Sequence, residues 1–153
     1  MGIAVVAFGD AAQGDDAIGI EVISKMEKLG IRADAISVGD RTNVLRVLEE
    51  ATKFDGLVII DAASMGQPPG SFTVVTINDL IMKHRMASIK LHGMRIDSDL
   101  VYAHKFLDLP PTRLVLIQPE TLTGGRVSKT LLSRMADYLD AVTQAVEQLE
   151  RCV

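Results

Sequence analysis

Two hydrophobic patterns alternate along the chain. The apolar runs "IAVVAF" (Ile3 to Phe8) and "LVII" (Leu57 to Ile60) have no polar face, as expected of strands covered on both sides in a parallel sheet. Between them lie stretches with helical spacing. Asp16 to Leu29 is one, closed by Gly30; Asn43 to Phe54 is the other, with Val44, Leu45, Val47, Leu48 and Ala51 along one face. A strand near Ala33 to Val38 separates them, so the chain begins β-α-β-α-β with right-handed crossovers.

The loop "AASMGQPPG" after Asp61 is shorter than the dozen or so residues a parallel crossover needs. "SFTVVTI" (Ser71 to Ile77) is therefore expected to return antiparallel as an edge strand. A short helical piece near Leu80 to Lys83, an unpatterned stretch to Arg95, and a helix near Ser98 to Leu107 ended by "DLPPT" come next. "RLVLIQ" (Arg113 to Gln118) reads as a fifth strand. The last helix, from about Ser128 to Arg151, carries Leu131, Met135, Leu139, Val142, Val146 and Leu149 as one core-facing stripe. The expected fold is α/β: a single domain over residues 1–153, a three-layer α/β/α sandwich around a twisted sheet of about five strands, mostly parallel with one antiparallel edge strand.

Composition narrows the function classes. With 48% hydrophobic and 24% charged residues the chain is an ordinary globular one. A net charge of −4 without a basic stripe opposes nucleic-acid binding, which draws its affinity from clustered Lys and Arg. No apolar stretch approaches the roughly 20 residues of a membrane span. No membrane association and a cytoplasmic location are expected. The single cysteine, Cys152, reads as a tail thiol.

The chemistry gathers in "FGDAAQGDDAIG" (Phe8 to Gly19), between the first strand and the first helix. Gly9, Gly14 and Gly19 do not have the spacing of a dinucleotide fingerprint. Asp10, Asp15 and Asp16 also surround the place a phosphate would occupy, and each like-charge pair at ~4 Å costs roughly 4 kcal/mol at an effective dielectric near 20. Capping of the first helix accounts for Asp15 or Asp16, but not for a second adjacent carboxylate together with Asp10. Asp61 follows the third strand, and carboxyl ends of strands line the ligand crevice of open α/β sheets. Asp16 and Asp61 converge there if the first and third strands are neighbours. An imidazole would complete a transition-metal set. His84 reads as solvated and His104 as a helix-surface residue, which leaves His92, in the unpatterned connection, as the candidate.

These residues resemble the hydrogenase maturation proteases, which clip a C-terminal peptide from the large subunit of nickel-iron hydrogenases after nickel insertion. The resemblance rests on "FGDAAQGDDAIG", on "VIIDAA" at the third strand, on His92, and on "LIQPETLTGG" leaving the last strand. It implies that Asp16, Asp61 and His92 coordinate a metal and act in catalysis, that the metal sensed is the substrate's nickel, and that the partner is the large-subunit precursor. Another divalent transition metal would be able to occupy the same site. Neither a Gly-x-Ser-x-Gly elbow nor a His-Glu-x-x-His helix is present, so attack by water is expected, with Asp16 or Asp61 taking a proton. Asp10 stands where the family usually has Asn, Ala17 where a glycine often follows the acidic pair, and "VGDRTN" where an Asp-Gly-Gly-Thr type loop is common. Asp10, Asp15, Asp40 and Thr42 are accordingly expected to touch substrate. The chain is expected to be a monomer. The rival functions are a non-catalytic metal-sensing or assembly module of the same fold and, third, a flavodoxin-like nucleotide-binding domain.

Overall fold

The structure is a computed structural model describing residues 2–40, 42–81 and 97–152. Five strands form one sheet: β1 (Ile3–Phe8), β2 (Ala35–Gly39), β3 (Gly56–Ala62), β4 (Phe72–Thr76) and β5 (Thr112–Ile117). Their order is β2-β1-β3-β5-β4. Pairings β1–β2, β1–β3 and β3–β5 are parallel, and β4 returns antiparallel along β5 at the edge. The short loop after Asp61 has the consequence expected of it.

Helices cover both faces. α1 (Ile18–Leu29) and the long C-terminal helix α5 (Met135–Arg151) lie on one side. On the other are α2 (Val44–Ala51), a helical segment over residues 77–81, and α3 (Asp97–Phe106). The sheet residues divide between the two cores with period two: Val5, Ala7, Val58, Ile60, Val115 and Ile117 join the α1/α5 side. Ala4, Val6, Phe8, Leu57, Ile59, Leu114 and Leu116 join the α2/α3 side. This alternation is why β1 and β3 show no polar face in the sequence. The stretch after residue 81 through residue 96, with His84 and His92, lies outside the described residues.

Two expected helices differ in the structure. The first begins two residues later than expected, because Gly14–Ala17 forms a 3-10 turn ahead of α1. Ala17 occupies the N-cap with no side-chain bond, so neither Asp15 nor Asp16 caps this helix. The last helix is two: α4 (Lys129–Leu132), capped by Ser128 Oγ accepting from the Leu131 amide, and α5. Arg134 at the junction leaves helical geometry, with φ −105° and ψ 13°. There Arg134 Nη1 (3.0 Å) and the Tyr138 hydroxyl (2.8 Å) both donate to the Gly70 carbonyl. Phe72 packs edge-on against Tyr138. The break thus ties α5 to the start of β4.

Burial pushes the Tyr138 phenol up to about 12, with Arg134 opposing and Asp15 reinforcing the shift. The folded value lies above the ordinary one, so the neutral phenol stabilises the fold fully below pH ~10 and that contribution fades as pH rises through about 12. Urea melts across this range should show stability declining from pH ~10 upward. Tyr138→Phe should flatten that decline at a neutral-pH cost of about 1 kcal/mol for the lost hydrogen bond. An unchanged alkaline slope in Tyr138→Phe would contradict the assignment.

Candidate functional site at the carboxyl edge of strands one and three

The two central carboxylates are placed by neighbouring strands. Asp61 lies within β3, paired with Leu116 of β5, and is 3% exposed. Period-two alternation puts its side chain on the same face as Leu57 and Ile59, toward the α2/α3 layer. Asp16 sits in the turn that follows β1, also 3% exposed. The turn packs on β3, and the start of α1 presses on both strands at Gly19. A Cβ there would lie 3.0 Å from the Ala7 Cβ and 3.1 Å from the Ile60 carbonyl oxygen. Glycine at this position lets the helix approach closely enough to bring Asp16 over the β1–β3 boundary.

Asp16 is oriented by its own loop: Oδ2 accepts from the Asp10 amide at 2.9 Å. Asp10 in turn accepts from the Ala12 amide through Oδ1 and from the Gln13 amide through its carbonyl. The acidic loop is therefore a set of nested turns in which one carboxylate's backbone holds the next carboxylate's side chain.

Asp15 faces the other way. It is wholly buried, and its carboxylate accepts from Ser128 N (2.6 Å), Glu120 N (2.8 Å), Ser128 Oγ (2.9 Å) and Thr121 N (3.1 Å). Among the described residues no Lys or Arg forms an ion pair with it. Four charge-assisted bonds, each worth about 1.5–3 kcal/mol, offset a desolvation cost of several kcal/mol. Asp15 was expected on the substrate-contacting rim; the structure places it inside, holding the loop after β5. Gly14 completes the junction. Its φ is +55°, its amide donates to the Gly124 carbonyl at 2.8 Å, and a Cβ would sit 2.6 Å from the Thr123 carbonyl oxygen.

Asp40 and Thr42 lie across from the acidic loop, after β2. Thr42 donates to Asp40 Oδ1 from its hydroxyl (2.6 Å) and its amide (2.8 Å). These bonds, the hydroxyl's first, hold the Asp40 carboxyl below its usual value. Asp10, Gln13, Ile20, Val38, Asp40 and Thr42 line a cleft of about 610 Å³, and the amide of Asp10 on its wall is the one that donates to Asp16.

Asp16 and Asp61 thus occupy one corner of the sheet, while the third expected ligand, His92, lies outside the described residues. Among the described residues no three His, Cys, Asp or Glu side chains form a metal-holding group. Oxygen donors from Asp16 and Asp61 have the hardness and charge for a divalent first-row ion that brings or receives further ligands. Two supporting side chains were not foreseen. Gln118, 8% exposed, accepts from the Met65 amide at 2.6 Å and orders the loop after β3. Ser128 joins the Asp15 bonds to the start of α4. A serine directly before a helical stripe signals an N-cap, but not its long-range partner.

The pattern of the hydrogenase maturation protease (HycI) family matches residues 20–149. The hydrogenase expression/formation protein HupD of Thiocapsa roseopersicina is 21% identical over 150 residues, covering 95% of this chain and 68% of HupD. The hydrogenase maturating endopeptidase HybD from E. coli has a similar structure, with a TM-score of 0.75 at 22% identity over 97% of this chain and 93% of that one. The [NiFe] hydrogenase maturation protease HybD from Thermococcus kodakarensis gives 0.71 at 18% identity over 95% and 99%. At these identities the structural likenesses speak for the fold. The sheet with one antiparallel strand and two helical layers agrees with them, and the family pattern spans most of the chain. The chain belongs to the hydrogenase maturation protease family.

Proposed function

We propose that the protein is an endopeptidase that removes the C-terminal peptide of a nickel-iron hydrogenase large-subunit precursor once nickel is in place. The observation that carries this is the pair of buried carboxylates, Asp61 in β3 and Asp16 in the turn that follows the neighbouring β1 and packs on β3. Family membership supplies the reaction class and the precursor as partner.

The nickel is cargo of the substrate. A dication held between Asp16 and Asp61 would be attracted by both carboxylates. With His92 they offer oxygen and nitrogen donors suited to a divalent first-row ion. A precursor lacking nickel gains none of this attraction, so the site discriminates loaded from unloaded substrate. In hydrolysis, water adds to the scissile carbonyl, one of the two carboxylates accepts the water's proton, and the proton passes to the departing amine as the C–N bond breaks. The precursor's chain would run along the cleft, meeting Asp10, Asp40 and Thr42. Asp15 is enclosed and contributes no contact.

The decisive experiment incubates the protein with nickel-loaded and nickel-free precursor and follows the C-terminal peptide by mass spectrometry. Cleavage of the loaded form alone is expected; binding of the loaded form without cleavage would instead mark a non-catalytic module. Asp16→Ala and His92→Ala should each slow processing by about a hundredfold or more, the scale of general-base and ligand losses. Their thermal unfolding should stay near that of the parent, and a large drop in stability would return these residues to a structural role. Thr42→Val should raise the Asp40 pKa toward its usual value, because the hydroxyl bond favours the ionised carboxylate. A side-chain carbon NMR titration reads this directly, and an unmoved midpoint would refute the hydroxyl's part.

A further inference from the structure

We propose that Asp15 is a positioning residue for Asp16, a role that rests on Asp16 acting as in the endopeptidase reading. The two are adjacent in the chain but serve different neighbours. Asp15 holds the segment after β5, whereas Asp16 accepts from the Asp10 amide at the cleft.

The turn carrying them has little to hold it in place by itself. Gly14–Ala17 is a single 3-10 turn without a side-chain cap, and such turns have poorer hydrogen-bond geometry than an α-helix. Its anchors come from outside. The Gly14 amide donates to the Gly124 carbonyl (2.8 Å) and the Asp15 amide to the Thr121 carbonyl (2.9 Å). The same segment donates back to the Asp15 carboxylate through Glu120, Thr121 and Ser128. Bonds therefore run in both directions between the turn and residues 120–128, and loosening the carboxylate end frees the turn that aims Asp16.

The charge, and not only the shape, is required. Oδ1 receives the Ser128 amide; Oδ2 receives two amides and the Ser128 hydroxyl. An Asn amide nitrogen in either position would confront at least one N–H donor. Asp15→Asn is thus nearly isosteric but cannot accept all four bonds.

The Asp10 amide reports where Asp16 lies, because that amide donates to Asp16 Oδ2. The test compares amide NMR spectra and precursor processing for the full chain and for Asp15→Asn, Ser128→Ala and Leu149→Ala. Leu149 packs by Gly56 at the opposite end of β3 and supplies a destabilised variant remote from the site. In Asp15→Asn the Asp10 amide proton should move upfield, toward its position in Asp16→Ala. The kcat on nickel-loaded precursor should fall about tenfold or more, with KM held within about twofold. Ser128→Ala, which removes only the hydroxyl from the set, should shift the same amide in the same direction by less. Leu149→Ala should lower Tm without moving the amide or kcat.

An Asp10 amide unmoved in both Asp15→Asn and Ser128→Ala would overturn the role, as would activity losses that track Tm equally in Leu149→Ala. If Asp15→Asn does not fold, the Ser128→Ala amide shift decides. A parent protein that fails to cleave, while the amide still moves in Asp15→Asn, would overturn the endopeptidase reading yet uphold the coupling of Asp15 to Asp16.

Discussion

The parallel pairing of β1 with β3 is the constraint on which the site depends. It sets Ile3 opposite Gly56 and Ala7 opposite Ile60, so the chain leaves both strands at the same height. A turn after β1 and an aspartate at the end of β3 then meet at one corner. The pairing is enforced by burial: Ile3, Val5, Ala7, Val58 and Ile60 are all at most 1% exposed. Slipping the register by one residue would turn apolar side chains into the wrong core and Asp61 with them.

Around that corner the protein uses one residue type in three ways. Asp15 is enclosed and satisfied by four donors from a segment more than a hundred positions away in sequence. Asp16 is buried at the strand ends with one oxygen held by the adjoining loop. Asp10 and Asp40 lie along an open cleft, each fixed by a local turn through one oxygen. The differences arise from the direction in which each backbone position projects its side chain, since the carboxylate group is the same. Dense negative charge is tolerable here because backbone amides, which point into the loop from several directions, offset it at short range.

The rigidity of the surroundings follows from the same logic. Gln118 orders the loop after β3, Arg134 and Tyr138 grip the Gly70 carbonyl, and Ser128 links the Asp15 bonds to the C-terminal helices. Gln118, Arg134 and Tyr138 bond loop backbone that no strand or helix satisfies. The layer bearing α1 and α5 thus acts as a rigid support under the corner, and the cleft opens on the side where β2 and its loop form the sheet edge.

The sequence alone determined the architecture. Period-two and period-3.6 patterns are local records of which faces are buried, so the five strands, the antiparallel return after Asp61 and the core stripe of Leu131 to Leu149 were all readable. It also drew notice to Asp61, a carboxylate closing an apolar run, and to Asp16 in the acidic loop after the first strand, positions that the pairing of β1 with β3 brings to the same end of the sheet. What it left open was direction. Only the tertiary structure turned Asp15 inward, replaced helix capping by a 3-10 turn, and broke the last helix at Arg134. Those outcomes depend on hydrogen bonds between Asp15 and Glu120 to Ser128 and between Gly70 and Tyr138. Partners so far apart along the chain leave no periodic trace in it, and their meeting is decided by how the layers pack.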